Sequence, residues 1–178
     1  MFEALCKKES DINEHLPTLR DLAKECNHVT EMGVRYIVST WAFIEGLEAG
    51  KNLVSIDITH PAVFGGDLGA VHTACNKKGI NFEFRLGDTR EIEIAETDLL
   101  FIDTLHRYGQ IKAELAKHGN KAKKYIAFHD TTSFETKGEN DIDEGIWKAI
   151  EEFMVANPHW KIKHRYTNNN GLTILERC

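Results

Sequence analysis

The sequence predicts an α/β fold: a doubly wound, mostly parallel sheet of seven strands that closes with a C-terminal antiparallel β-hairpin. Three patterns predict it. Five short apolar runs alternate with stretches of helical periodicity, as repeated βα units require. Each run ends in a glycine or a polar group, namely Gly33, Asp57, Gly87-Asp88, Asp103 and His129-Asp130. The last two strand-like runs are separated only by a polar turn containing Asn170-Gly171, a hairpin signal.

The elements follow in order. Pro17 suits the first turn of a helix, and Leu19, Leu22, Ala23 and Cys26 recur at helical spacing, so residues 1–27 form a helical segment ahead of a sheet core at 28–178. A strand begins at His28 and stops at Gly33. A helix restarts behind Ser39 and Thr40, whose hydroxyls suit the free N–H groups of its first turn, and Gly50 is placed to end it after Trp41, Ala42, Ile44 and Leu47. Leu53-Val54-Ser55-Ile56-Asp57 is the second strand. Residues 58–66 form a loop, and a helix at about 67–78 stops at Gly79. Phe82, Phe84 and Leu86 alternate as a third strand. The run from Asp98 to Asp103 lacks alternation and reads as a fully buried strand, followed by a helix through Tyr108, Ile111 and Leu115. The fifth strand runs from Lys124 into His129-Asp130.

Residues 133–140 are polar and read as a mobile loop. Asp141-x-x-Glu144 reads as a capping box for a long helix with an apolar stripe of Ile142, Ile146, Trp147, Ile150, Phe153 and Met154, stopped near Pro158. Trp160, Ile162, His164 and Tyr166 alternate with Lys161, Lys163 and Arg165 as a half-buried strand, and Leu172-Thr173-Ile174-Leu175 returns.

The 178 residues suit one domain, 1–178, with a core that needs no staples. A net charge of -6 argues against a nucleic-acid partner, since nonspecific binding there rests on Lys and Arg neutralising phosphates. The four cysteines show no metal or disulfide spacing, which points to a reduced, cytoplasmic setting. No apolar run reaches the roughly 20 residues of a membrane span, and the N-terminus lacks a signal-peptide core, so no membrane partner is expected.

In open sheets of this kind ligands bind beyond the carboxyl ends of the strands, where all five polar strand ends fall. Gly33 before a helix N-terminus allows close backbone approach to a polar or anionic group, and Glu31 can accept from a hydroxyl or ammonium. Asp57, one βαβ unit further on, is placed to accept both hydroxyls of a ribose.

The stretch Glu31-x-Gly33-Val34-Arg35 followed by Ser39-Thr40 resembles the first motif of class I S-adenosylmethionine-dependent methyltransferases, in particular the small-molecule O-methyltransferases related to macrocin- and cephalosporin-pathway enzymes. The resemblance spans residues 17–178. It implies a Rossmann-like methyltransferase fold and S-adenosylmethionine bound by Glu31, Gly33, Arg35, Ser39, Asp57 and Asp88, the last beside the adenine. The family carries a second glycine where this chain has Ile37, so the loop is expected to be stiffer there, with Ile37 facing the cofactor loop rather than the core.

Asp103-Thr104-Leu105-His106 and His129-Asp130 resemble the acid-x-x-His segment and paired ligands of metal-dependent members. They imply Asp103, His129 and Asp130 as ligands of Mg²⁺ or Mn²⁺, His106 as general base and Asp103 beside it in the catalytic set. Imidazole at His129 suits Mn²⁺, Fe²⁺ or Zn²⁺ better than Mg²⁺. The implied acceptor is a small-molecule or sugar hydroxyl. Without a separate substrate domain, its selectivity falls to the loops, the N-terminal segment or a neighbouring subunit of a homo-oligomer. Two other readings remain. A nicotinamide dehydrogenase would need the Gly-x-Gly-x-x-Gly pattern that is absent here, and a methyltransferase-like subunit with little or no turnover would fit Ile37.

Overall fold

The computed structural model describes residues 1–140 and 142–178. The sheet has seven strands in the order β3-β2-β1-β4-β5-β7-β6. These are β1 (His28–Met32), β2 (Asn52–Asp57), β3 (Asn81–Leu86), β4 (Thr97–Ile102), β5 (Ala122–His129), β6 (Trp160–Tyr166) and β7 (Leu172–Arg177). Strands β1 to β5 are parallel to their neighbours, and β7 enters antiparallel between β5 and β6. The expected doubly wound sheet and closing hairpin are both present.

Alternation within the buried strands builds two cores. In β4, Leu99 and Phe101 join one apolar cluster while Leu100 and Ile102 join the other, each residue essentially inaccessible to water. Three helices cover the first face: α2 (Leu16–Lys24), α3 (Val38–Gly46) and α4 (Leu68–Lys78). The helices α5 (Tyr108–His118) and α6 (Trp147–Ala156) cover the second. A short α1 (Phe2–Lys7) packs Phe2 against the first. Removing a side chain such as Phe101 from the strand centre costs about 3–5 kcal/mol, because a packed sheet cannot close the hole.

Register sets the site. Met32 pairs with Ile56 on one side and Ile102 on the other, and Ile102 pairs with Phe128. The next residues, Gly33, Asp57, Asp103 and His129, therefore stand in one row at the carboxyl edge. The chain crosses over between β1 and β4, so this row spans the switch point where the two halves of the sheet diverge.

Several local expectations need correction. Helix α3 begins at Val38 and has no side-chain cap; it ends at Gly46, whose added Cβ would lie 2.2 Å from the Arg20 carbonyl, and Gly50 forms a separate left-handed turn. Close packing of α3 on α2 leaves no room for a side chain there. Helix α6 starts only at Trp147, and Ile142 is exposed rather than part of its stripe. The capping box involves Asp141, outside the described residues. Its other member, Glu144, accepts from Lys148. Alternation in β6 is interrupted by a bulge between Ile162 and His164, and Ile162 itself is exposed on this edge strand. Residues 133–140 are not a free loop: Phe134 N–H donates to the Asp130 carbonyl, and the Phe134 carbonyl accepts from Ile146. By contrast, α4 has its expected ends, with Asp67 accepting from Ala70 N–H and Gly79 left-handed.

Candidate active site

A cavity of about 690 Å³ opens beyond the strand ends, within the range of small-molecule sites. It is lined by Gly33, Arg35, Ser39, Asp57, Asp88, Asp103, His106 and Asp130 among others. It has two chemically different ends.

At the β1–β2 end the polar groups are already satisfied by the chain. Asp57 Oδ2 accepts from Val34 N–H (2.8 Å) and Arg35 N–H (3.0 Å), and Oδ1 accepts from Thr59 N–H (2.8 Å). A carboxylate has about four acceptor positions, so Oδ1 keeps capacity for one more donor. Asp88 is held by Arg90, whose guanidinium and N–H both donate to it, and this keeps its carboxyl below the usual range. Gly33 adopts φ +87°, and a Cβ there would lie 1.8 Å from the Asp103 carbonyl. Its role is first to let the β1 loop cross the end of β4.

Two expectations change at this end. Glu31 is fully buried beneath the loop rather than in the cavity, accepting from the hydroxyls of Ser39 (2.5 Å), Thr40 (2.8 Å) and Ser55 (2.5 Å). Burial pushes its carboxyl up to about 7 despite these donors. Ser39 and Thr40 therefore hold Glu31 instead of capping α3, although Ser39 still reaches the cavity wall. Ile37 is buried in the first core, and an added Cβ on Gly66 would lie 2.8 Å from its Cδ1. Its backbone is left-handed at φ 62°, a conformation costly for a β-branched residue and natural for glycine. Burial of the side chain offsets that strain.

At the β4–β5 end unlike charges face one another. His106 Nε2–H donates to Asp130 Oδ2 (2.9 Å) and lies 3.3 Å from Asp103 Oδ1, while Nδ1–H donates to Glu139 (2.7 Å). Burial alone would lower His106, but the carboxylates outweigh it and hold the imidazole up at about 10. With carboxylates facing both ring nitrogens, this position favours the charged imidazole and opposes its acting as a proton acceptor. His129 Nδ1 lies 3.5 Å from Asp103 Oδ1 and 3.4 Å from Asp130 Oδ2; burial disfavours its charge too, yet the acids raise it to about 11. Both aspartates are correspondingly depressed: burial raises them, and the histidines more than reverse it.

Asp103, His129 and Asp130 can each present one ligand atom with all three within 4.8 Å of one another. Two further features fit a cation. Asp130 Oδ1 is buried without a hydrogen-bond partner, and Asp130 is held at φ 59°, left-handed strain of the kind that persists where a surrounding site over-determines it.

No family model and no curated protein sequence matches the chain. Solved structures do. An O-methyltransferase of Bacillus cereus in complex with SAH shares 14% identity and superposes with a TM-score of 0.67 over 93% of this chain and 81% of its own. An O-methyltransferase of Streptomyces achromogenes involved in tomaymycin synthesis, in complex with SAM, shares 12% identity, TM-score 0.62, over 96% and 81%. A methyltransferase of Geobacter sulfurreducens shares 13% identity, TM-score 0.63, over 99% and 86%. This is the class I methyltransferase fold.

Within that fold, further residues join those read from sequence. Glu114, buried on α5, accepts from Gln110 (2.7 Å), Thr104 (2.9 Å) and Thr89, and so fixes three residues of the cavity wall. Its signal was an acid on the apolar face shared with Ile111 and Leu115. Phe134 stacks on His106 with ring centres 4.6 Å apart and planes 6° apart. Tyr36, Ile58, Phe64 and Leu105 give the cavity an exposed apolar rim. Local patterning does not mark Phe134, Glu139 or this rim, because their roles arise from loops meeting in space.

Proposed function

We propose that the chain is an S-adenosylmethionine-dependent O-methyltransferase acting on a small-molecule or sugar hydroxyl, assisted by Mg²⁺ or Mn²⁺ at Asp103, His129 and Asp130. One observation carries this reading: a single row of strand ends brings a prefolded glycine loop and two carboxylates, Asp103 and Asp130, into one cavity at the switch point, with the His129 imidazole directly behind them. S-adenosylmethionine supplies a methyl group on a sulfonium, and a divalent cation supplies a Lewis acid that lowers the pKa of a hydroxyl.

The chain's own residues do the rest. The Gly33 loop and the free acceptor position of Asp57 receive a ribose, Ile58 and Phe64 offer apolar surface for a base, and Asp88 is placed for its amino group, with Arg35 and Ser39 on the same wall. Glu31 supports this loop from beneath. Asp103, His129 and Asp130 are the cation ligands, and imidazole among them favours Mn²⁺ over Mg²⁺. His106 takes the acceptor's proton only after its ring parts from Asp103, Asp130 and Glu139, because among these three carboxylates it keeps its own. A reducing cytoplasmic setting accords with four free cysteines, and a homo-oligomer would complete the acceptor side at the apolar rim.

A second reading, a methyltransferase-like subunit without turnover, is favoured by Asp57 already accepting three backbone N–H groups. The test has two stages. S-adenosylhomocysteine should raise the melting temperature and NAD should not, since a ligand of the native state stabilises it by mass action. Labelled methyl transfer to a panel of phenols and sugars should then fail in EDTA and return with Mn²⁺. No shift with S-adenosylhomocysteine overturns the cofactor; a shift without turnover on the panel favours the second reading. Full turnover in EDTA removes the cation.

A further inference from the structure

The turn between β6 and β7 carries three consecutive asparagines, Asn168, Asn169 and Asn170, that the proposed reaction leaves without a role. Asn169 and Asn170 are left-handed, at φ 46° and 67°. The Asn169 side chain reaches across to the N-terminal segment: Oδ1 accepts from Glu14 N–H (3.0 Å) and Nδ2 donates to the Ser10 carbonyl (2.7 Å). The segment clamped between those two bonds delivers the Asp11 carbonyl to His129 Nε2 at 3.0 Å, and the Asn169 carbonyl lies 3.4 Å from the same nitrogen. Carbonyls only accept, so Nε2 carries a proton and Nδ1 is the nitrogen turned toward Asp103 and Asp130.

We propose that Asn169 is a positioning residue for His129: by fastening residues 10–14 beside the ring it sets which imidazole nitrogen faces the two aspartates. Its consequence for a cation rests on the function proposed above, whereas the ring orientation does not. The sequence separation is what makes the role specific. Asn169 touches the cluster only through one carbonyl, yet its amide controls the stronger of the two acceptors through bonds to residues 155 and 159 positions away. A partner that holds the remote N–H of a ligand imidazole fixes its tautomer and orientation, and loss of such a partner costs 10–100-fold in metal affinity in general.

The experiment compares wild type with Asn169→Gly, which keeps the left-handed backbone and the carbonyl but loses both side-chain bonds, and Asn169→Asp, which keeps the acceptor and loses the donor. In ring-¹⁵N-labelled, metal-free protein the His129 Nε2–H should exchange with water at least about tenfold faster in Asn169→Gly, with Asn169→Asp between. Mn²⁺ affinity should fall about tenfold or more in Asn169→Gly while affinity for S-adenosylhomocysteine stays within about twofold, because β1 and β4 separate Asp57 from β5. Unchanged exchange in the folded variants overturns the proposal. Equal loss of both affinities overturns it too, since that is general loosening. If wild type binds no Mn²⁺, the cation reading fails and the exchange rates alone decide the positioning role. If Asn169→Gly does not fold, Asn169→Asp decides on the same readout.

Discussion

The two ends of the cavity solve opposite problems. At the β1–β2 end the two acids of the first two strands are met by neutral donors, three hydroxyls on Glu31 and three backbone N–H groups on Asp57, and only Asp88 beyond β3 has a charged partner, Arg90. At the β4–β5 end the acids are balanced by charged imidazoles, and one buried carboxylate oxygen has no partner. Neutral donors make a rigid cradle whose shape is set before any ligand arrives. Ionic partners make a site whose members can be exchanged for another cation, at the cost of strain at Asp130. The difference separates shape from chemistry along a single row of residues.

Gly33 is the seam between the two ends, and breaking it should have the largest effect. Gly33→Ala puts a Cβ against the Asp103 carbonyl at a φ that L residues rarely adopt, so a loss of about 4 kcal/mol or more is expected by urea denaturation. A loss under about 1 kcal/mol would mean that the strands part easily and that the two ends are not mechanically joined.

The next effect separates the ends by pH. Glu31 holds its proton to about 7 when folded and releases it near its ordinary 4.5 when unfolded, so its contribution is full below 4.5 and lost as pH rises to about 7. That loss is about 3 kcal/mol. The histidines His106 and His129, raised from 6.5 to about 10 and 11, contribute stability that is full below 6.5 and lost above it, toward pH 10–11. Thermal melts of Glu31→Gln should therefore decline less than wild type between pH 4.5 and 6.5, where Glu114, also raised by burial, still contributes, and should decline as wild type does above. If Glu31→Gln kept the full wild-type slope in the lower window, Glu31 would be removed as its source.

Binding should dissociate in the same way. Asp57→Ala should weaken S-adenosylhomocysteine by about 1.5–3 kcal/mol and leave Mn²⁺ affinity intact, while Asp130→Asn does the reverse. Calorimetry showing that either variant weakens both ligands equally would merge the two ends into one site. Ile37→Gly should have the smallest net effect, a loss of about 1–3 kcal/mol in stability with cofactor affinity unchanged: relief of the left-handed backbone offsets part of the lost burial. A large fall in cofactor affinity would place that side chain in the cavity after all.

The fold was legible because buried parallel strands announce themselves as apolar runs and their ends as acids and glycines. Asp57, Asp88, Asp103, His106 and Asp130 all line the cavity, and His129 stands behind its ligand wall. What stayed hidden was direction and partner. Glu31 reads like a ligand because spacing marks the strand end without marking which side of the loop the side chain takes. Ile37 reads like an intruder in a glycine position because composition does not reveal that its Cδ1 fills the space above Gly66. Glu139, Phe134 and Asn169 act across long loops, where no period links cause to effect.

The clamp between Ser10, Glu14 and Asn169 joins residues 159 and 155 positions apart. Leu172, Ile174 and Leu175 of β7 belong to the two cores, so the turn that fastens His129 docks on residues 10–14 as the sheet itself closes. Until then the two aspartates face a ring that is free to turn.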